Sequence, residues 1–156
     1  MNRKQLLIKE VSIVNEGSTF IADLLIANGI IVQIGSIPVL KNHTGIPAKG
    51  LHLLPGVIDS HVHFREPGLT HQGDIFSESR AAVAGGIASF IEMPNTVPNV
   101  LTQQIAADKF NRAAKYSFAN YSFYMGSNPL AECDQVAMAL YNENPGRYFS
   151  GFKILN

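Results

Sequence analysis

The sequence is poor in cysteine, in charge and in long apolar runs, and each shortage removes a class of answer. Cys133 stands alone among 156 residues, so no internal disulfide can form, which fits a reducing, cytoplasmic compartment. Twelve basic residues balance twelve acidic ones, leaving a formal charge of zero. A dedicated nucleic-acid binder would carry a basic excess or stripe, whereas Arg3, Lys4, Lys9, Lys41 and Lys49 are scattered and form no run. No apolar stretch approaches the roughly 18 residues that a membrane span needs. Lys9 and Glu10 also interrupt the N-terminal run that a signal peptide would use. Internal repeats and low-complexity segments are absent. The expectation is a cytoplasmic protein that engages neither nucleic acid nor membrane. What is there is apolar matter: 46% hydrophobic residues against 15% charged, enough to offset chain entropy and build a core.

Two regions of different character follow one another. Residues 1–50 read as short strands and turns, part of a small β-sandwich. Leu6 to Val14, Phe20 to Ala27 and Ile30 to Ile34 are β-rich, separated by the turn signals Asn15-Glu16-Gly17-Ser18 and Asn28-Gly29. Pro38 to Gly50 carries two prolines and two glycines and reads as a loop. Residues 51–156 instead alternate strands with helices of about 11–14 residues. The strands are Leu51 to Ile58, Ile87 to Met93, Phe118 to Met125 and Phe149 to Leu155. The helices are Asp74 to Ala84, capped by Asp74 and stopped at Gly85-Gly86, then Thr102 to Lys115 and Leu130 to Tyr141. Such alternation predicts parallel βαβ units of an α/β fold. Four strands and three helices make either half of an eight-stranded barrel or a small open doubly wound sheet. A complete barrel needs roughly 250 residues, so this chain cannot contain one.

The chemistry gathers in Asp59-Ser60-His61-Val62-His63-Phe64-Arg65-Glu66-Pro67-Gly68. Residues two apart on a strand share a face, so Asp59, His61 and His63 are expected to project together from the carboxyl end of the first barrel strand, where α/β architectures assemble chemistry. Two neutral imidazoles suit a borderline cation such as zinc, and Asp59 can orient them by accepting the N–H of a ring. His43, His52 and His71 lack such neighbours and read as structural or solvated. Arg65 comes next on the alternating face; it either grips a substrate carboxylate with paired hydrogen bonds or pairs with Glu66 or Asp74 at the surface. Asn95 follows the second strand and offers donor and acceptor, or serves a turn between two prolines. Lys153, in Gly151-Phe152-Lys153-Ile154-Leu155, would be driven toward the neutral amine if buried. On residue chemistry alone, an outward-facing lysine is the better reading.

These motifs resemble a known family. Asp59-Ser60-His61-Val62-His63, followed by Ala81-Ala82-Val83-Ala84-Gly85-Gly86, is similar to the cyclic amidohydrolases of the metal-dependent β/α-barrel superfamily, and HVHFREPG with EMPNTVP is the pattern of its dihydroorotases. LLIKEVSIVNEG and ADLLIANGIIVQIG are similar to the N-terminal β-sandwich of those enzymes. The resemblance implies a partial (β/α)8 TIM barrel after part of a β-sandwich. It implies His61 and His63 as ligands of one metal, one or two zinc ions in all, and Lys153 as a bridging ligand if N-carboxylated. Arg65 and Asn95 become holders of the substrate carboxylate. The implied reaction interconverts dihydroorotate and N-carbamoyl-L-aspartate, small-molecule substrates of pyrimidine synthesis. The family also uses two later histidines and a proton-shuttling aspartate that these 156 residues do not include. The chain alone is therefore expected to be inactive and prone to aggregate or pair with itself as a homo-oligomer. Alternatives are a non-catalytic structural partner of aspartate carbamoyltransferase, or another cyclic amidohydrolase such as a hydantoinase.

Overall fold

Asn28-Gly29 puts two consecutive residues at positive φ, 56° and 77°, the backbone of a tight turn whose twist matches paired strands. It joins β2 (Ser18–Ala27) to β3 (Ile30–Gly35), and Glu16-Gly17 does the same between β1 (Gln5–Asn15) and β2. The computed structural model describes residues 5–127 and 149–154. It divides the chain into two compact units, residues 1–55 and 56–156.

The first unit is a five-stranded sheet in the order β3-β2-β1-β4, with β5 (His52–Leu53) also on β1. The expected loop from Pro38 to Gly50 in fact holds β4 (His43–Pro47), parallel to β1 from Gln5↔His43 to Lys9↔Pro47. Its Gly and Pro content argues against a strand, but the open edge of β1 supplies the hydrogen-bond partners, and that tertiary pairing outweighs propensity. A bulge lies between Ile8 and Val11 of β1, with Glu10 at φ 55°. Asp23 serves the bulge: it accepts from the Glu10 and Ile37 amides, each at 2.9 Å, and pairs with Lys9. Those three donors pull its carboxyl from 3.8 to about 2, the Lys9 hydrogen bond most strongly. Val11, Ile13, Leu24 and Ala48 form the main apolar cluster of this unit.

The second unit is a parallel sheet in the order β6-β7-β8-β9: β6 (Val57–Val62), β7 (Ile87–Glu92), β8 (Asn120–Ser127) and β9 (Phe149–Ile154). The expected strand from Leu51 to Ile58 is split at Pro55-Gly56, its front going to β5 and its end to β6. Helix α1 (Ile75–Ala84) connects β6 to β7, and α2 (Gln103–Tyr116) connects β7 to β8. Asp74 caps α1 in a reciprocal capping box with Ser77, and Thr102 caps α2 through the Ile105 amide. The helix expected from Leu130 to Tyr141 lies outside the described residues. Phe64, Ile75, Phe90, Ala113 and Phe123 make the core between sheet and helices. Full burial of side chains such as Phe90 and Phe123 stabilises by roughly 1.5–3 kcal/mol each.

Candidate active site

Parallel strands bring their carboxyl ends to one side, so the segments leaving β6 and β7 meet there. The Met93 amide donates to Val62 O at 3.0 Å, which carries the pairing one residue past the end of β7. Beyond it the two segments lie against each other: the Val97 amide donates to Pro67 O at 3.1 Å. Gly68, at φ +86°, sits so close that a Cβ there would come 2.1 Å from Val97 O.

His61 lies in β6 and His63 one residue past its end, both exposed. Their ring centroids are 5.3 Å apart with planes tilted by 54°. His63 Nδ1 is 2.9 Å from Asn95 Oδ1, a hydrogen bond spanning the two segments. Asp59 departs from expectation, since its carboxylate accepts the backbone N–H of His61 at 3.1 Å and, among the described residues, no ring N–H. It therefore holds the strand end in shape and leaves the His61 imidazole alone.

Strict alternation fails to reach Arg65. The strand ends at Val62 and Arg65 takes a left-handed backbone, φ 71°, so its direction is set by the turn and not by the pleat. Both carboxylates that could have held its guanidinium at the surface are engaged elsewhere. Glu66 faces Arg112 at 3.4 Å and accepts the Ile75 amide at 3.0 Å, while Asp74 caps α1. No ion pair of the Arg65 guanidinium falls among the described residues. Lys153 pairs by its backbone with Gly126 of β8, and its side chain lies outside what is described.

Beneath these residues is a buried ion pair that sequence reasoning did not single out. Glu92 and Lys109 are both fully buried, with Lys109 Nζ 3.1 Å from Glu92 Oε2. The other carboxylate oxygen accepts the amides of Phe64 and Arg65, each at 3.1 Å. Lys109 Nζ also donates to Met93 O at 3.3 Å and stands 5.1 Å from the centre of the Phe123 ring. Burial pushes the Glu92 carboxyl up and the Lys109 ammonium down, each opposed by the other's charge. The pair thus fastens the turn after β6, the end of β7 and helix α2 at one point. A signal was present: Ile105, Ala106, Lys109 and Ala113 follow helical spacing, so a lysine on that face needs a buried acid.

Among the described residues no group of three or more His, Cys, Asp or Glu side chains converges. The chemistry of the donor set still fits a borderline cation in part, since His61 and His63 supply two accessible imidazoles side by side. Over 88 residues the chain is 47% identical to the dihydroorotase of Carboxydothermus hydrogenoformans, a match covering 56% of this chain and 20% of that one. The chain is dihydroorotase-like.

The dihydroorotase of Methanosarcina acetivorans is 39% identical over 120 residues, 76% of this chain and 26% of that protein. An allantoinase of Deinococcus radiodurans is 33% identical over 134 residues, 80% of this chain and 30% of its own length. Among solved structures, the L-hydantoinase (dihydropyrimidinase) from Arthrobacter aurescens matches with a TM-score of 0.83 at 26% identity, covering 94% of this chain and 32% of that one. No family model matches. The chain spans about a quarter of the length of the curated relatives it matches.

Proposed function

We propose that this chain forms the front part of a zinc-dependent dihydroorotase, with residues 1–50 contributing to a β-sandwich and residues 51–156 to the first half of a β/α barrel. The four parallel strands with helices between them support this reading. So do the exposed apolar side chains of Val57 and Ile58 on the terminal strand β6, which further strands or a partner would cover. The observation that carries the function is the hydrogen bond of His63 with Asn95, made where the HVHFREPG and EMPNTVP segments meet.

In this reading His61, His63 and a carboxylated Lys153 hold zinc. A bound zinc ion would polarise the ring amide carbonyl of dihydroorotate and make water more acidic. Arg65 and Asn95 hold the ring by its carboxylate, which fixes the amide bond in place and contributes orientation. The engagement of Glu66 and Asp74 elsewhere supports a free Arg65 guanidinium for that task. The 156 residues alone are expected to show no turnover.

The decisive experiment reads the coding sequence downstream of the Asn156 codon and assays the extended protein on dihydroorotate and on hydantoin. Dihydroorotate ring opening abolished by Arg65→Ala is the expected result. An enzyme that opens hydantoin and tolerates Arg65→Ala would instead be a hydantoinase, the reading that the structural likeness to the Arthrobacter enzyme favours. Lys153→Ala should lower the metal content of the extended protein, and retention of two metals would sink the carbamate assignment.

A further inference from the structure

The bond between His63 and Asn95 has a direction, and the direction has chemical consequences. A neutral imidazole has one protonated and one unprotonated nitrogen, while an amide oxygen only accepts. Oδ1 of Asn95 lies 2.9 Å from Nδ1 of His63, and an oxygen that only accepts is satisfied there when the ring proton sits on Nδ1 and the lone pair on Nε2. Accepting with Oδ1 also leaves both N–H groups of the Asn95 amide pointing away from the ring. No hydrogen bond from that amide nitrogen falls among the described residues.

We propose that Asn95 is a positioning residue that sets the tautomer of His63, presenting Nε2 as a ready ligand atom and turning its own Nδ2 donors toward a bound carboxylate. One amide then couples the two halves of the site, since the same flip state that frees Nε2 also arms the anion-binding donors. Its use in catalysis rests on the dihydroorotase reading, but the tautomer itself is a property of the metal-free chain. Asn95 is itself steadied: the Met93 carbonyl nearby is held by Lys109, and Thr96 Oγ1 donates to Pro98 O at 2.9 Å. The reverse flip, with Nδ2 donating to an unprotonated Nδ1, would put the proton on Nε2 and block ligation.

The test is a long-range 1H–15N correlation spectrum of the 15N-labelled extended protein, metal-free at about pH 8, where an ordinary imidazole is neutral. His63 is identified by the signals lost in His63→Gln. Wild-type His63 is expected as the Nδ1–H tautomer. Asn95→Ala should move the tautomer ratio toward Nε2–H by about two- to tenfold, the range of one net hydrogen bond. Asn95→Asp keeps an acceptor and should preserve Nδ1–H, which a merely structural contact would not require. An Nε2–H tautomer in the wild type, or a ratio unchanged by Asn95→Ala, overturns the proposal. If Asn95→Ala fails to fold, the wild-type and Asn95→Asp spectra still decide. Adding zinc then tests the other reading separately: a shifted Nε2 resonance supports His63 as a ligand. A wild-type Nδ1–H tautomer indifferent to zinc would leave the tautomer assignment standing and count against the metal site.

Discussion

Glu92 offers one carboxylate oxygen to two backbone amides and the other to Lys109, all away from water. Removing one partner of such a pair leaves an uncompensated charge, so Lys109→Met should cost about 3–5 kcal/mol in urea unfolding. The sign with pH follows from the same burial. Without Lys109 the Glu92 pKa rises further above its unfolded value, so folding is favoured while the acid is protonated and weakens as pH climbs through the raised pKa. The deficit of Lys109→Met should therefore widen as pH rises above 4.5, the ordinary value for a glutamate. Asp23 behaves oppositely, its pKa having dropped from 3.8 to about 2. It stabilises above 3.8 and that contribution is lost as pH falls through 2. The stability gap between wild type and Asp23→Asn, read from urea midpoints, should be full at pH 6 and mostly lost by pH 2. Single residues of this kind were only partly legible beforehand. His61, His63, Arg65 and Asn95 are exposed or half-buried polar groups clustered in two short motifs, which a sequence displays. The Glu92–Lys109 partnership joins a strand end to a helical residue 17 positions later, and while the helical spacing hints that Lys109 is buried, nothing local names its partner.

Elements were read best where their ends carry chemistry. Asp74, Thr102 and the Gly85-Gly86 stop mark helix limits through backbone groups that need a partner. Asp74→Ala should accordingly cost about 1 kcal/mol of stability through the lost cap. Strand β4 escaped because its pairing with β1 is made by residues some 38 positions apart, and its own composition favours a loop. The split at Pro55-Gly56 escaped because apolar residues continue on both sides of it. Segment contacts also limit substitution. Gly68→Ala meets both a positive φ and the Val97 carbonyl, so it should lower the melting temperature and separate His63 from Asn95. Gly56→Ala meets Ala88, whose Cβ would be 2.4 Å away. It should disturb the start of the β6–β7 pair while the His63 tautomer is kept, a contrast visible in the same nitrogen spectrum.

At the scale of the whole molecule the two units differ in how their apolar residues are covered. In the first, Ile21, Ile30, Ile31 and Val32 are each more than half exposed, Ile21 at 75%. In the second, Val57 and Ile58 are similarly open. Exposed apolar area of this extent promotes association, so the 156-residue chain should elute in a concentration-dependent manner from a sizing column, and Ile31→Lys should reduce the effect. The alternation of strands and helices was legible here because each element is long enough to show its period. What covers the open faces was not, since that information resides in whatever else packs against them. A final consequence concerns the sheet as a measuring device. His63 follows β6 and Asn95 follows β7, so their contact reports the alignment of two separate strands. Sliding one strand by a single residue moves it about 3.3 Å, more than a hydrogen bond near 2.9 Å can absorb. The proton on one imidazole nitrogen is thus a vernier for strand alignment, and misaligned chains would announce themselves at His63 before any change in secondary-structure content.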